Sequence, residues 1–225
     1  MGPVAAAMSV GRMSVGRWKK TNRVSAKADS SWQVRFVVDY TIWLNGEYFQ
    51  RSEAKISMLD RGFRLGDVVF DTSRTFNGKV FRLREHLLRL YRSLKYTKID
   101  SGVSMDEMEQ LTLEVVQRNE PGREAGDDYM VTQIVTGGEG DVAARATGAN
   151  VSIWIDPIDF AGYSPMYTTG AHVVIPRTRS YSADQLDPKI KHYSRLNFVM
   201  AQVEASDVDP EALPVLLDTN GNIAE

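Results

Sequence analysis

Two Asn-Gly pairs, Asn45-Gly46 and Asn77-Gly78, each sit between short runs rich in β-branched and aromatic residues. Asn followed by Gly accepts the positive φ angles that a two-residue hairpin turn needs, so each pair predicts a hairpin. The first joins the strand-like runs Gln33–Asp39 and Thr41–Leu44 to Glu47-Tyr48-Phe49, and the second joins Val68–Phe76 to Lys79–Arg82. The period then changes. Leu87, Leu90, Tyr91 and Leu94 recur at helical spacing within Arg84–Tyr96. Ser104-x-x-Glu107 is a capping box opening a second helix, with Met108, Leu111, Val115 and Val116 as its apolar stripe and Pro121-Gly122 as its stop. Asp128–Thr136 and Asn150–Asp156 read as further strands. Hairpins, then paired helices, then more strands specify an α+β fold.

A Pro/Gly-containing connector follows, from Asp156 to Pro165, and a domain boundary is expected there. Beyond it the pattern predicts a strand at Ala171–Pro176, a helix over Leu196–Ala205 and a last strand at Pro214–Asp218. The expected organisation is a leader (1–31), a small N-terminal domain (32–156), a connector (157–166) and the start of a larger domain (167–225).

Composition narrows the function. With 43% hydrophobic and 25% charged residues the 225-residue chain can build a core. Its net charge of −2 does not advertise a nucleic-acid or membrane partner. The absence of cysteine removes thiolate nucleophiles and Cys-based zinc sites, and three scattered histidines (His86, His172, His192) leave little for any metal, so no metal site is expected. Residues 1–28 hold six basic residues and no acid, and repeat Met-Ser-Val-Gly-Arg in tandem at 8–12 and 13–17. The segment reads as disordered and outside the fold, either a leader on a cytoplasmic protein or an organellar transit peptide.

Chemistry concentrates in Asp187-Pro188-Lys189-Ile190-Lys191-His192-Tyr193-Ser194-Arg195-Leu196-Asn197. Lys191 lies just upstream of a helix N-terminus, whose partial positive charge helps keep an amine neutral, as Schiff-base chemistry requires. Lys189 and Lys191 are expected to share one strand face, so periodicity does not choose between them. The sequence closes on Asn220-Gly221-Asn222-Ile223-Ala224-Glu225.

Three ordered blocks carry a resemblance. They are Asp60-Arg61-Gly62-Phe63-Arg64-Leu65-Gly66-Asp67-Val68-Val69-Phe70 running on to Arg84-Glu85-His86-Leu87-Leu88-Arg89-Leu90, then the lysine block, then the glutamate block. From about Val38 to Glu225 the chain resembles the fold-type IV pyridoxal-phosphate enzymes. These comprise branched-chain and D-amino-acid aminotransferases, (R)-selective amine transaminases and aminodeoxychorismate lyases. The resemblance implies a two-domain fold-type IV architecture, pyridoxal 5'-phosphate as cofactor, and transfer of an amino group from an amino acid or amine donor to a keto acid. It also implies a homodimer. Lys191 matches the lysine that forms the Schiff base and shuttles the proton. Glu225 matches the buried carboxylate facing the pyridine nitrogen, and Arg89 the arginine that binds the cofactor phosphate. Helical periodicity would leave Arg89 on a solvated face.

Departures from the family bear on substrate. Relatives often carry a carboxylate-binding arginine on the strand here written Tyr129–Thr136, and this strand has none. Phe70 stands where several relatives have tyrosine, and Arg74, two strand positions beyond Thr72, is the substitute cation. Phe70, Thr72 and Arg74 are therefore the expected substrate contacts. Arg195-Leu196 is similar to the lyase branch, which makes carbon–carbon cleavage an alternative. Family members continue past the glutamate, so the chain is expected to be C-terminally truncated, a non-catalytic remnant being the other alternative. Val199, Met200, Val203, Val215, Leu216 and Leu217 are then expected to be exposed.

Overall fold

The computed structural model describes residues 38–141 and 148–225. The basic leader and the strand-like run before Val38 lie outside the described residues. Strands β1 (Thr41–Leu44) and β2 (Glu47–Gln50) form the first hairpin, and β3 (Val68–Phe76) and β4 (Lys79–Val80) the second. Both turns use positive φ at Asn and Gly, 50° and 100° at Asn45-Gly46 and 51° and 75° at Asn77-Gly78. A short helix α1 (Arg61–Leu65) precedes β3, capped by Asp60. Helices α2 (Leu83–Thr97) and α3 (Met105–Asn119) follow, the second capped by Ser104, whose hydroxyl accepts from the Glu107 amide at 3.2 Å.

Strands β5 (Tyr129–Thr136) and β6 (Val151–Pro157) complete an antiparallel six-stranded sheet of order β2-β1-β6-β5-β3-β4. One face is covered by α2 and α3. There Leu87, Leu90, Met108 and Val115 close over Val69, Val131, Val135, Ile153 and Ile155, all without solvent exposure. Burying each such side chain is worth about 1.5–3 kcal/mol. Asn119, the last residue of α3, takes both backbone groups of Thr41 (2.8 Å each) and so fastens α3 to β1.

Two short helices lie in and just beyond the predicted connector. The connector contains α4 (Phe160–Tyr163), capped by Asp159, and leads into α5 (Met166–Thr169). The strands expected beyond it shrink to a parallel pair, β7 (Val173–Val174) and β8 (Leu213–Pro214), either side of α6 (Leu196–Val208). Pro176 and Pro214 cannot donate to a ladder, and the pair has no third strand among the described residues. Val199, Met200 and Val203 are exposed as expected, but Val215 and Leu217 are half-buried and Leu216 is buried at 2%, because β8 and the following residues fold back on α6 around Ala201, Ala205 and Ala212. The chain from Val38 to Glu225 groups as one compact unit. Among the described residues no helix is long and apolar enough to cross a membrane, and no group of His, Asp and Glu could hold a metal ion.

Candidate active site

The edge of β3 positions the lysine block. β5 pairs with β3 from Val68 to Arg74, whereas β4 reaches only Thr75 and Phe76. Beside Val68–Phe70 that outer edge is occupied by Lys191–Tyr193. The Phe70 amide donates to the Lys191 carbonyl at 3.0 Å, Tyr193 donates to the Val68 carbonyl at 3.4 Å, and Val69 bridges His192. Gly66 makes the approach possible. Its φ is +69°, and a Cβ there would fall 2.4 Å from the Ser194 hydroxyl, which donates to the Gly66 carbonyl at 2.9 Å. Lys189 does not share a strand face with Lys191. It lies in a turn closed by Ile190 donating to the Asp187 carbonyl at 3.0 Å.

Lys191 is half-buried, with Nζ 4.4 Å from the centroid of Phe70, a ring that stacks on Tyr193 at 3.8 Å. Burial first, then the nearby Arg195 and Arg89 guanidinium groups, push the amine below the usual lysine pKa, while Asp71 and Glu225 oppose them. The direction is the one expected, but its leading cause is burial; α6 begins only at Leu196. His192 is lowered for the same reasons, burial and then Arg195.

Arg89 is not a free surface residue. Its Nε and Nη2 donate to Asp71 at 2.6 and 2.7 Å, and Asp71, with no solvent exposure, also lies 2.8 Å from His86 Nδ1. The ion pair holds the guanidinium still more firmly protonated. Ser93 is the third group on this flank of α2, donating to the Arg89 carbonyl at 3.2 Å and accepting from the Lys191 amide at 3.4 Å. Asp71, His86 and Ser93 were not singled out from sequence. The available signal was the i, i+3, i+7 polar flank His86, Arg89, Ser93 beside the apolar stripe.

A cleft of about 620 Å³ is lined by Arg89, Lys191, Arg195 and Glu225, with Arg92, Tyr96 and the 187–190 turn. Glu225 differs from the expected buried carboxylate. Its side chain is 57% exposed, and its nearest cation is Arg195 at 3.7 Å. The backbone of Glu225 runs beside Leu216, whose amide donates to the Glu225 carbonyl at 2.7 Å. The expected substrate contacts divide. Phe70 touches the Lys191 ammonium, but Thr72 and Arg74 line a separate hollow of about 380 Å³ with Met130, Phe160 and Tyr163. Thr72 shares a 3.0 Å hydrogen bond with Thr132. Arg74 stacks over Phe76 at 3.9 Å and lies 3.6 Å from Asp128.

An amine biased toward neutrality, a fixed guanidinium and a carboxylate around one cleft match the polar groups of pyridoxal phosphate: aldehyde, phosphate and ring nitrogen. The chain is also similar to several known proteins. The chain is 30% identical over 190 residues to a putative branched-chain-amino-acid aminotransferase of Methanocaldococcus jannaschii, covering 82% of this chain and 62% of that protein. It is 39% identical over 79 residues to the D-alanine aminotransferase of Staphylococcus aureus (strain N315), covering 35% and 28% of the two chains. Among solved structures, the T.th. branched-chain amino acid aminotransferase with pyridoxamine 5'-phosphate superposes with a TM-score of 0.73 at 25% identity, over 83% of this chain and 62% of that one. The chain thus spans about three-fifths of the length of the Methanocaldococcus protein and of that solved structure, 62% in each case. The family model for amino-transferase class IV matches residues 68–225, from the strand that carries Phe70 and Asp71 to the carboxylate of Glu225, and the chain belongs to that family.

Proposed function

We propose that the protein is a pyridoxal-phosphate-dependent aminotransferase, moving an amino group between an amino acid or amine donor and a keto acid. The observation that carries this reading is the convergence of Lys191, Arg89 and Glu225 on one cleft, with Lys191 shifted toward its neutral form. The cofactor, when bound, supplies an electron sink for the charge left on the substrate carbon. Lys191 Nζ supplies the amine nucleophile and then the base, and both roles need an uncharged amine. Arg89 presents a charge-assisted donor to the phosphate. Glu225 offers a carboxylate to the ring nitrogen. Phe70, stacked on Tyr193, presents its ring to Lys191 Nζ.

The same reading assigns residues 32–156 to a small domain, 157–166 to a connector and 167–225 to the first part of a larger one, and makes the whole protein a homodimer acting on small molecules. Incubation with pyridoxal phosphate, an amino donor and a keto acid is the direct test. Keto-acid formation from the donor, with visible cofactor absorption lost in Lys191→Ala and kept in Lys189→Ala, is the expected result. Loss in Lys189→Ala alone would move the chemistry to the other lysine. Pyruvate release from an aminodeoxychorismate-type substrate, with no amino acceptor present, would place the protein with the lyases.

A further inference from the structure

Alternation along β3 puts Phe70, Thr72 and Arg74 on one face and Val69, Asp71, Ser73 and Thr75 on the other, beneath α2. The second face is buried yet mostly polar. Each of its polar groups has its own partner. Thr75 donates to Asp128 at 2.6 Å, Ser73 reaches the Val131 carbonyl at 3.5 Å, and Asp71 takes Arg89 and His86. A fully buried carboxylate is costly unless paired. Its partner here is an arginine whose far side opens on the Lys191 cleft.

The contact is directional. Asp71 occupies the Nε–Nη2 edge of the guanidinium. Nη1 has no hydrogen-bond partner among the described residues, and the Arg89 side chain is 48% exposed. We propose that Asp71 is a positioning residue for an anion subsite: it holds Arg89 in one orientation, with Nη1 turned outward to meet the phosphate of the cofactor. This rests on the reading of Arg89 as the phosphate contact. Two effects of Asp71 oppose each other. Fixing the long side chain in advance spares the ordering cost at binding, worth about three- to tenfold in affinity. Its negative charge offsets the cation and works against an incoming dianion. Positioning prevails, because His86 and Arg89 share the carboxylate, and because Asp71 lies on the edge of the guanidinium away from Nη1.

The sign is therefore testable. The full chain is titrated with pyridoxal phosphate and with pyridoxal, which lacks the phosphate, and the ratio of the two affinities is read from absorption. Asp71→Asn is expected to lower the preference for the phosphorylated form about three- to tenfold; the effect of the Asp71 charge on Lys191 acts on both forms alike and cancels in the ratio. Adding Asp71→Asn to Arg89→Ala should cost no further preference, because Asp71 acts through Arg89. Circular dichroism checks folding. If Asp71→Asn is unfolded, Asp71→Glu carries the test, since it keeps the charge and moves the fork by one methylene; positioning requires a drop and neutralisation alone requires none. Unchanged or increased preference in the folded Asp71 variant, with preference lost in Arg89→Ala, overturns the inference and leaves the Arg89 reading standing. Preference retained in Arg89→Ala, or absent from the unaltered chain, overturns that reading and the inference with it.

Discussion

At the scale of single residues, the proposed chemistry of Lys191 is tied to the stability of the fold. The proposed chemistry needs the amine uncharged, and the fold biases it that way by burying it and placing Arg195 and Arg89 nearby. A lysine lowered in the folded state binds its proton more weakly there than in the unfolded chain. Its charge therefore costs stability at neutral pH, and the cost is relieved as pH rises through the folded value towards the ordinary 10.5. Lys191→Met should accordingly raise the unfolding free energy at pH 7, with the gain fading as pH rises through the folded value and gone above 10.5; denaturant unfolding at several pH values measures it. A gain that does not fade with pH would assign the effect to packing. The same shift predicts that the pH midpoint for reaction of Lys191 with an aldehyde reagent lies below that of ordinary lysine, which peptide mapping after borohydride reduction can follow.

At the scale of elements, the local signals were legible. The Asn-Gly hairpins, the α2 stripe and the Ser104 cap depend only on neighbouring residues, and each lies where the sequence put it. What could not be read depends on distant partners. Neither face of β3 is uniformly apolar, so alternation alone could not show that Asp71 is inside. The resemblance, not periodicity, singled out Arg89, because its partner sits on another element. Alternation places Lys191 and Lys189 on one strand face, whereas the chain that Lys191 pairs with is β3. Asp60 shows the same dependence. Its carboxylate accepts from the Gly62 amide and Thr136 hydroxyl at 2.6 Å and from the Asn150 side chain at 2.5 Å, tying α1 to β5 and β6. Asp60→Ala leaves these donors unpaired in a buried site, and each unsatisfied group costs about 1–3 kcal/mol. A loss of roughly 3 kcal/mol or more in chemical denaturation is expected; a loss under ~1 kcal/mol would mean water replaces the carboxylate.

At the scale of the whole molecule, apolar surface is unevenly covered. The six-stranded sheet and its two helices enclose a continuous core, whereas α6 leaves Leu196, Val199, Met200 and Val203 exposed. A contiguous apolar strip of this kind promotes association. Val199→Lys with Val203→Glu should reduce light scattering and dye binding while changing stability by about 0.5 kcal/mol or less per site. A larger loss would show that these side chains are packed in solution. The docking of Lys191–Tyr193 on β3 has a temporal consequence. β3 closes on β4 through nearby chain and on β5 across α2 and α3, but the edge beside Val68–Phe70 waits for residues made later still, and such distant pairings form slowly. The hairpins and helices can therefore collapse before Lys191 has left the ribosome, so it docks onto a finished sheet. In native-state hydrogen exchange, the Phe70 and Tyr193 amides should accordingly open at lower free energy than those of the β3–β5 ladder.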